Sequence, residues 1–376
     1  MGNVLSSEYT YDTAVLDLGA NGRLRGTLVD GRVRRFTGVP FAQPPVGGYR
    51  WRKTRPLPAD HVYCNPTSGD REEPLDCSRF GATAWQNPML LPIRNKEEPR
   101  YDEDCLTLNM WMPVGEPPKG GWPVMIWFHG GLLQMGNPCI DDISDPTELV
   151  STAGLNCIFL APAYRLSIFG FLASQELAEE AERDGDDGVC GNYGMWDQWT
   201  ALMWLQTYGE RLGGDLKNVT LAGMSAGAYS AHAQTAHALL MAKDSVGSNP
   251  RLIRRIALHS NAIPTNPKSL LDVQPQFAEL LAVHGISPTL TAAEKLDALR
   301  KIDAGTLMEK VKQMKAHTFR TVADGKFFPR DLMQRFGRGE FAKEFEKRGM
   351  SILVGEVLHE ASFGDVSSLP AVGAHD

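Results

Sequence analysis

The sequence predicts an α/β fold, a mixed and mostly parallel sheet with helices on both faces. Three observations carry this. Short, continuously apolar runs at residues 123–128 and 157–161, continued by mostly apolar runs at 219–222, 253–258 and 352–354, give the pattern of strands covered on both sides. Helical patterns alternate with these runs. The turn Gly223-Met224-Ser225-Ala226-Gly227 joins the run at 218–222 to an Ala-rich stretch at 228–234, so a tight turn links strand to helix.

In chain order, residues 13–40 read as β-hairpins. Runs at 14–18, 24–29 and 33–39 are separated by Asn21-Gly22 and Asp30-Gly31, and Asp-Gly between alternating runs is a strong hairpin signal. Residues 56–102 are rich in Pro, Asp and Asn and read as a long surface excursion with short helices. A strand follows at 106–111. Helical patterns cover 171–183 and 196–212, the latter with Trp196, Trp199, Leu202, Met203 and Leu205 on one core-facing stripe. Residues 273–349 are mostly helical in pattern, and 352–354 ends the set of strands. No internal repeat or low-complexity stretch appears, and the whole chain, 1–376, reads as one domain.

A chain of 376 residues with 43% hydrophobic and 22% charged residues is ordinary for a globular enzyme. The net charge of −7 argues against nucleic acid as a partner. The basic run at 23–55 alternates with Val33 and Phe36, so it reads as a solvated strand face. No segment has the ~18 uninterrupted apolar residues of a membrane span. The N-terminus has neither the basic nor the apolar region of a secretory signal, and the expected location is cytoplasmic. Gly2 with Ser6 fits the N-myristoylation pattern. The six cysteines do not make a disulfide scaffold in a chain this long. Cys157 reads as a core residue, and Cys77 with Cys105 is the pair that could bridge.

The 223–227 turn places Ser225 between a strand and a helix N-terminus, the setting of a nucleophile elbow. A serine that attacks acyl groups needs donors for the oxyanion, a base, and a group to orient the base. His129-Gly130-Gly131-Leu132 follows the run at 123–128, where an oxyanion loop belongs. The backbone N–H groups of Gly131, Leu132 and Ala226 are therefore the expected oxyanion hole. This chemistry requires no metal or cofactor.

Motifs in order along the chain resemble the type-B carboxylesterases, the family that includes the cholinesterases and many fungal esterases. Residues 36–42 with 44–47 resemble its N-terminal F-x-G-I-P-Y-A…P-P-V-G, and 103–109 its E-D-C-L-Y-L-N. Tyr164-Arg165 with 169–172 resembles N-Y-R…F-G-F-L, and 191–198 resembles G-N-x-G-L-x-D-Q. Gly213-Gly214 with 219–227 resembles the serine signature, and 324–329 the D-G-x-F-x-P before the acid. The resemblance implies the α/β-hydrolase fold, a small-molecule ester as substrate, and Glu360 as the triad acid, because 352–363 follows I-L-x-G-x-x-x-D-E-G-S-F. Glu356 is the competing carboxylate and fits less well.

Departures from the family pattern are Met224 for Glu, Leu132 for a small residue whose place narrows the acyl pocket, and Ala163 for Asn. Ala84 stands near the usual first cysteine of a disulfide, which leaves Cys77 or Cys64 as partners for Cys105. The base should follow the acid in the chain. His375 is the sole histidine after Glu360, and about a dozen residues cannot supply the helix and strand that such folds place between them. The resemblance therefore implies a fold whose C-terminal part, with the histidine, is missing from this chain, and a sheet ending at Val354 with an exposed edge. The expected function is a serine hydrolase of carboxylic esters; the alternative is an inactive fragment or a non-catalytic binding protein on the same fold.

Overall fold

The computed structural model describes residues 9–68, 70–86, 99–138, 145–186, 188–242 and 252–358. Strands β1 (Tyr11–Asp17), β2 (Arg23–Val29) and β3 (Val33–Pro40) form the expected antiparallel meander. Asp30 and Gly31 both take positive φ, 49° and 63°, the geometry that an Asp-Gly hairpin turn requires.

The excursion differs from expectation. Among its described residues it holds no helix. It holds instead the two-residue strands β4 (Leu75–Asp76), β5 (Thr83–Ala84) and β6 (Tyr101–Asp102). β4 pairs with β2, and β5 with β6. Long-range backbone bonds fix this path: Cys77 N–H donates to Arg25 O at 2.7 Å, and Thr37 N–H to Cys77 O at 2.8 Å. Cys64, Cys77 and Cys105 are all free thiols, so neither candidate disulfide forms. Burial pushes the Cys77 thiol up to about 12.

The remaining strands are β7 (Thr107–Pro113), β8 (Trp122–Phe128), β9 (Ile158–Pro162), β10 (Gly214–Met224), β11 (Arg255–His259) and β12 (Ser351–Gly355). The main sheet runs β1-β2-β3-β7-β9-β8-β10-β11-β12, with β4 beside β2. From β9 to β12 every pairing is parallel. Gly223 lies opposite Phe128, and Met224 opposite His259. The loops that leave β8, β10 and β11 therefore meet at one edge, outside the carboxyl ends of the strands, where open α/β sheets bind ligands. Ile352, Leu353 and Val354 of β12 are 50%, 62% and 66% exposed, as expected of an edge strand with uncovered faces.

Helices α1 (Thr147–Val150), α2 (Ser167–Phe171), α3 (Gln175–Arg183), α4 (Tyr193–Tyr208) and α5 (Ala226–Leu240) precede β11. The helix expected over 171–183 begins four residues later, at Gln175, and Phe171 instead closes the separate helix α2. Ser174 is extended (φ −159°, ψ 165°), and its Oγ accepts from Leu177 N–H at 3.1 Å, so it caps a new start. The later helices are α6 (Leu270–Val283), α7 (Ala292–Arg300), α8 (Ala304–Val311), α9 (Leu332–Gly337) and α10 (Glu340–Lys347). Reciprocal capping boxes, Ser269 with Asp272 and Thr291 with Glu294, start α6 and α7. Among the described residues no helix is long and apolar enough to cross a membrane.

Several motif residues turn out to be the polar ties of this core. Asp197 is fully buried and accepts from Arg165 N–H at 2.8 Å and from Arg165 Nη2 at 2.8 Å. Thr54 Oγ1 donates to the same carboxylate. Arg50 pairs with Glu103, and its Nη1 also donates to Ile302 O at 2.8 Å. Gln198 Nε2 donates to Ser230 Oγ at 3.0 Å, and Gln234 Nε2 to Gln198 Oε1 at 3.0 Å. These bonds fix α4 against α5, the helix that begins beside Ser225.

Candidate active site

Ser225 sits between β10 and α5 with φ 55° and ψ −121°, a backbone region that costs a non-glycine residue on the order of 1–3 kcal/mol. Two backbone bonds hold it there. Ser225 N–H donates to His259 O at 2.8 Å, and Ser225 O accepts from Tyr229 N–H at 3.0 Å. The flanking glycines do not carry the unusual angles; they supply closeness. A Cβ on Gly223 would lie 2.4 Å from Gly227 C and 2.7 Å from Phe128 O. A Cβ on Gly227 would lie 1.9 Å from Phe128 O. The turn is thereby pressed onto the end of β8, from which the 129–132 loop leaves.

That loop packs on the turn. A Cβ on Gly130 would lie 2.9 Å from Met224 O and 3.5 Å from Ser225 Cβ. Gly131, Leu132 and Leu133 follow with φ of 106°, 60° and 64°. Among the described residues, the N–H groups of Gly131, Leu132 and Ala226 donate to no protein acceptor. The carbonyl on the far side of each of these peptides is engaged. Gly130 O lies 2.8 Å from His129 Nδ1. Gly131 O accepts from Gln134 N–H at 2.9 Å and Met135 N–H at 3.0 Å, and Ser225 O accepts from Tyr229 N–H. A hydrogen bond at a peptide oxygen polarises the N–H of the same peptide, so each of these N–H groups is a strengthened donor.

His129 is neutral. Burial lowers its imidazole to about 4, against the raising effect of the Gly130 carbonyl. A carbonyl oxygen only accepts, so the proton sits on Nδ1. Tyr164 stacks on the ring at 4.3 Å and donates its hydroxyl to His129 O at 2.8 Å. His232 and His237 are also lowered to about 4, mainly by burial. His232 stacks on Phe336, and His237 on Phe327. His237 Nδ1 lies 2.8 Å from Phe327 O.

These three rings predict an acid sensitivity with a definite sign. The folded pKa lies below the ordinary value of about 6.5, so the unfolded chain binds more protons between the two values. Stability is full above about pH 6.5 and falls as pH drops toward 4, by up to about 3 kcal/mol for each ring. The urea midpoint is expected to fall markedly from pH 7 to pH 5. An unchanged midpoint would contradict the burial of these rings.

Among the described residues no histidine is hydrogen-bonded to Ser225 Oγ. His259, on the adjacent strand, engages Ser225 through its backbone oxygen, and its ring lies 5.9 Å from Trp127. Glu360, the expected acid, lies outside the described residues, as do His359 and His375. Among the described residues no cluster of three or more His, Cys, Asp or Glu could hold a metal ion. Sequence reading missed Gln134, Arg320 and Gln86. Arg320 Nη1 donates to Leu132 O at 2.8 Å. Gln134 bonds both backbone groups of Phe319, and Gln86 both backbone groups of Gly136.

The chain is similar to known esterases over nearly its whole length. A carboxylic ester hydrolase of Gibberella moniliformis is 39% identical over 359 residues, 94% of this chain and 62% of its own length. An uncharacterized esterase/lipase of Schizosaccharomyces pombe is 37% identical over 88% of this chain and 58% of its own. The chain thus spans about three fifths of the length of these curated relatives. Among solved structures, a thermophilic PNB esterase superposes with a TM-score of 0.73 at 25% identity, covering 98% of this chain and 67% of its own. The fold is the α/β-hydrolase fold, as the motifs implied. The carboxylesterase family model matches residues 12–372. With the sheet, the 223–227 turn and the adjoining glycine loop in agreement, this chain belongs to the carboxylesterase family.

Proposed function

We propose that the protein is a serine hydrolase of small-molecule carboxylic esters that works through an acyl-enzyme. Ser225 Oγ attacks the ester carbonyl carbon while its proton passes to a histidine. The N–H groups of Gly131, Leu132 and Ala226 hold the oxygen as it becomes negative. Collapse of the tetrahedral intermediate expels the alcohol, which takes the proton from the histidine. Water then attacks the acyl-serine and releases the acid. Glu360 orients the histidine, which is not among the described residues. The observation that carries this reading is the backbone of Ser225, held at φ 55° on a turn that carries the Ala226 N–H and against which the loop with the Gly131 and Leu132 N–H groups is packed, all three without an acceptor among the described residues. The non-catalytic reading is not favoured, since the relatives and neighbours named by activity are ester hydrolases.

Chemical rescue tests it. A triad without its base loses on the order of a millionfold in kcat, and a diffusible imidazole can take the place of the side chain. The 376-residue chain is expected to hydrolyse p-nitrophenyl acetate poorly. Added imidazole is expected to raise its rate tenfold or more above the rate of imidazole alone. Robust turnover without imidazole that vanishes in both Ser225→Ala and His375→Ala would contradict this and make His375 the base.

A further inference from the structure

The loop that carries the Gly131 and Leu132 amides has a costly shape. Leu132 and Leu133 are consecutive non-glycine residues at φ 60° and 64°, each costing on the order of 1–3 kcal/mol. Leu132 is 48% exposed, so burial of its own side chain does little to fix it. Such a shape persists only where its surroundings over-determine it.

Gln134 supplies much of that determination. Its carboxamide reaches across to Phe319, 185 residues away in the chain. Its Nε2 donates to Phe319 O, and its Oε1 accepts from Phe319 N–H at 3.1 Å. The side chain thus occupies the place of a neighbouring strand, bonding both backbone groups of one residue. Phe319 is completely buried, which makes it a fixed anchor. The next residue, Arg320, ties Leu132 O to the same segment at 2.8 Å. Two residues beyond Gln134, Gln86 accepts from Gly136 N–H at 2.7 Å and donates to Gly136 O at 2.8 Å. Two glutamines therefore clamp the C-terminal half of the loop, at residues 134 and 136. The Gln134 clamp is the nearer to the reacting centre, two residues from the Leu132 amide.

We propose that Gln134 is a positioning residue: its two bonds to the Phe319 backbone set the direction of the Leu132 N–H and so the geometry of the oxyanion hole. The inference rests on the reading of Leu132 N–H as an oxyanion donor. It extends the site to the 319–320 segment, which the sequence motifs do not include. A donor displaced by about 1 Å forfeits a large part of its effect on a developing charge.

The test uses phenylboronic acid, a tetrahedral mimic that needs no turnover. Ser225 Oγ bonds to boron, the hydroxyl proton leaves to buffer, and a boron-bound oxygen enters the hole. Its affinity is measured in the wild type, Ser225→Ala, Gln134→Met and Gln134→Glu. Gln134→Met keeps the bulk and removes both bonds to Phe319, together with the 3.3 Å bond from Gln134 Nε2 to Leu132 O. It is expected to weaken binding at least tenfold and to speed amide exchange of a peptide spanning 129–136. Gln134→Glu keeps one acceptor when ionised, and when protonated it can again donate to Phe319 O. Its affinity deficit relative to wild type is expected to narrow as pH falls from 7.5 to 5.5, which mere packing would not produce. Affinity within twofold of wild type in Gln134→Met would overturn the proposal. Should that variant not fold, a pH-independent deficit in Gln134→Glu, or none, overturns it instead. Absence of a boron adduct in the wild type, or an adduct unaffected by Ser225→Ala, would overturn the serine reading and this proposal with it.

Discussion

Ser225→Ala is expected to bring imidazole-supported hydrolysis of p-nitrophenyl acetate by this chain down to the rate of imidazole alone. In any form of the protein whose triad is complete, the same change is expected to cost on the order of a millionfold in kcat. The difference between the two magnitudes follows from the mechanism. Nucleophile and base act as one unit, so removing either removes nearly the whole covalent pathway, and removing both costs little more. Loss of activity will not come from unfolding. The bonds that hold the turn, Ser225 N–H to His259 O and Tyr229 N–H to Ser225 O, belong to the backbone and survive the substitution. The thermal midpoint of the variant should therefore stay close to that of the wild type. A variant that keeps the imidazole-supported rate would exclude Ser225 as the nucleophile.

The largest effect on stability is expected from Gly227→Ala. The added methyl would sit 1.9 Å from Phe128 O, 2.7 Å from Phe128 C and 2.9 Å from His129 O. All three atoms are main chain, at the end of β8 and the start of the glycine loop, so no side chain can swing aside. Relief requires moving β8 away from α5 in the middle of the sheet. A loss of about 3–5 kcal/mol, the upper range for single substitutions, is the expected result. Urea denaturation reads it, and failure to accumulate soluble protein would agree with it. Gly337 is the contrast, since a Cβ there meets nothing within 4 Å. A Gly227→Ala midpoint as high as that of Gly337→Ala would contradict the close packing of the turn.

The parts of the fold read correctly from sequence are those whose signals are local. Short apolar runs marked β8 to β12, and Asp30-Gly31 marked the β2–β3 turn, because alternation and turn chemistry are written in neighbouring residues. The break between α2 and α3 was local too. Ser174 ahead of Gln175 and Glu176 is an N-cap signal that the longer helical pattern obscured. The strands β4 to β6 were not legible. Each is two residues long and exists because of partners on distant segments, such as Arg25 O for Cys77 N–H.

The candidate site divides in the same way. The turn and the glycine loop are continuous motifs, so Ser225, Gly131, Leu132 and Ala226 were named in advance, and the fold brings their segments together. Gln134 was invisible because its partner, Phe319, is 185 residues away. Nothing in the sequence separates a glutamine that bonds two main-chain groups from one that faces water. The motif residues Arg165, Asp197, Glu103 and Gln198 carry a different lesson. Their positions mark the family, and their bonds are ties of the core; those of Gln198 hold α5, the helix that follows Ser225.

Locating the acyl group tests most directly whether Ser225 forms the acyl-enzyme. The chain is treated with p-nitrophenyl acetate in the presence of imidazole, stopped in acid and digested, and the acetyl group is mapped by mass spectrometry. The predicted result is acetyl on Ser225 in the wild type, with that modification absent in Ser225→Ala. Acetyl found solely on lysines or on another hydroxyl, with Ser225 unmodified, would contradict the account.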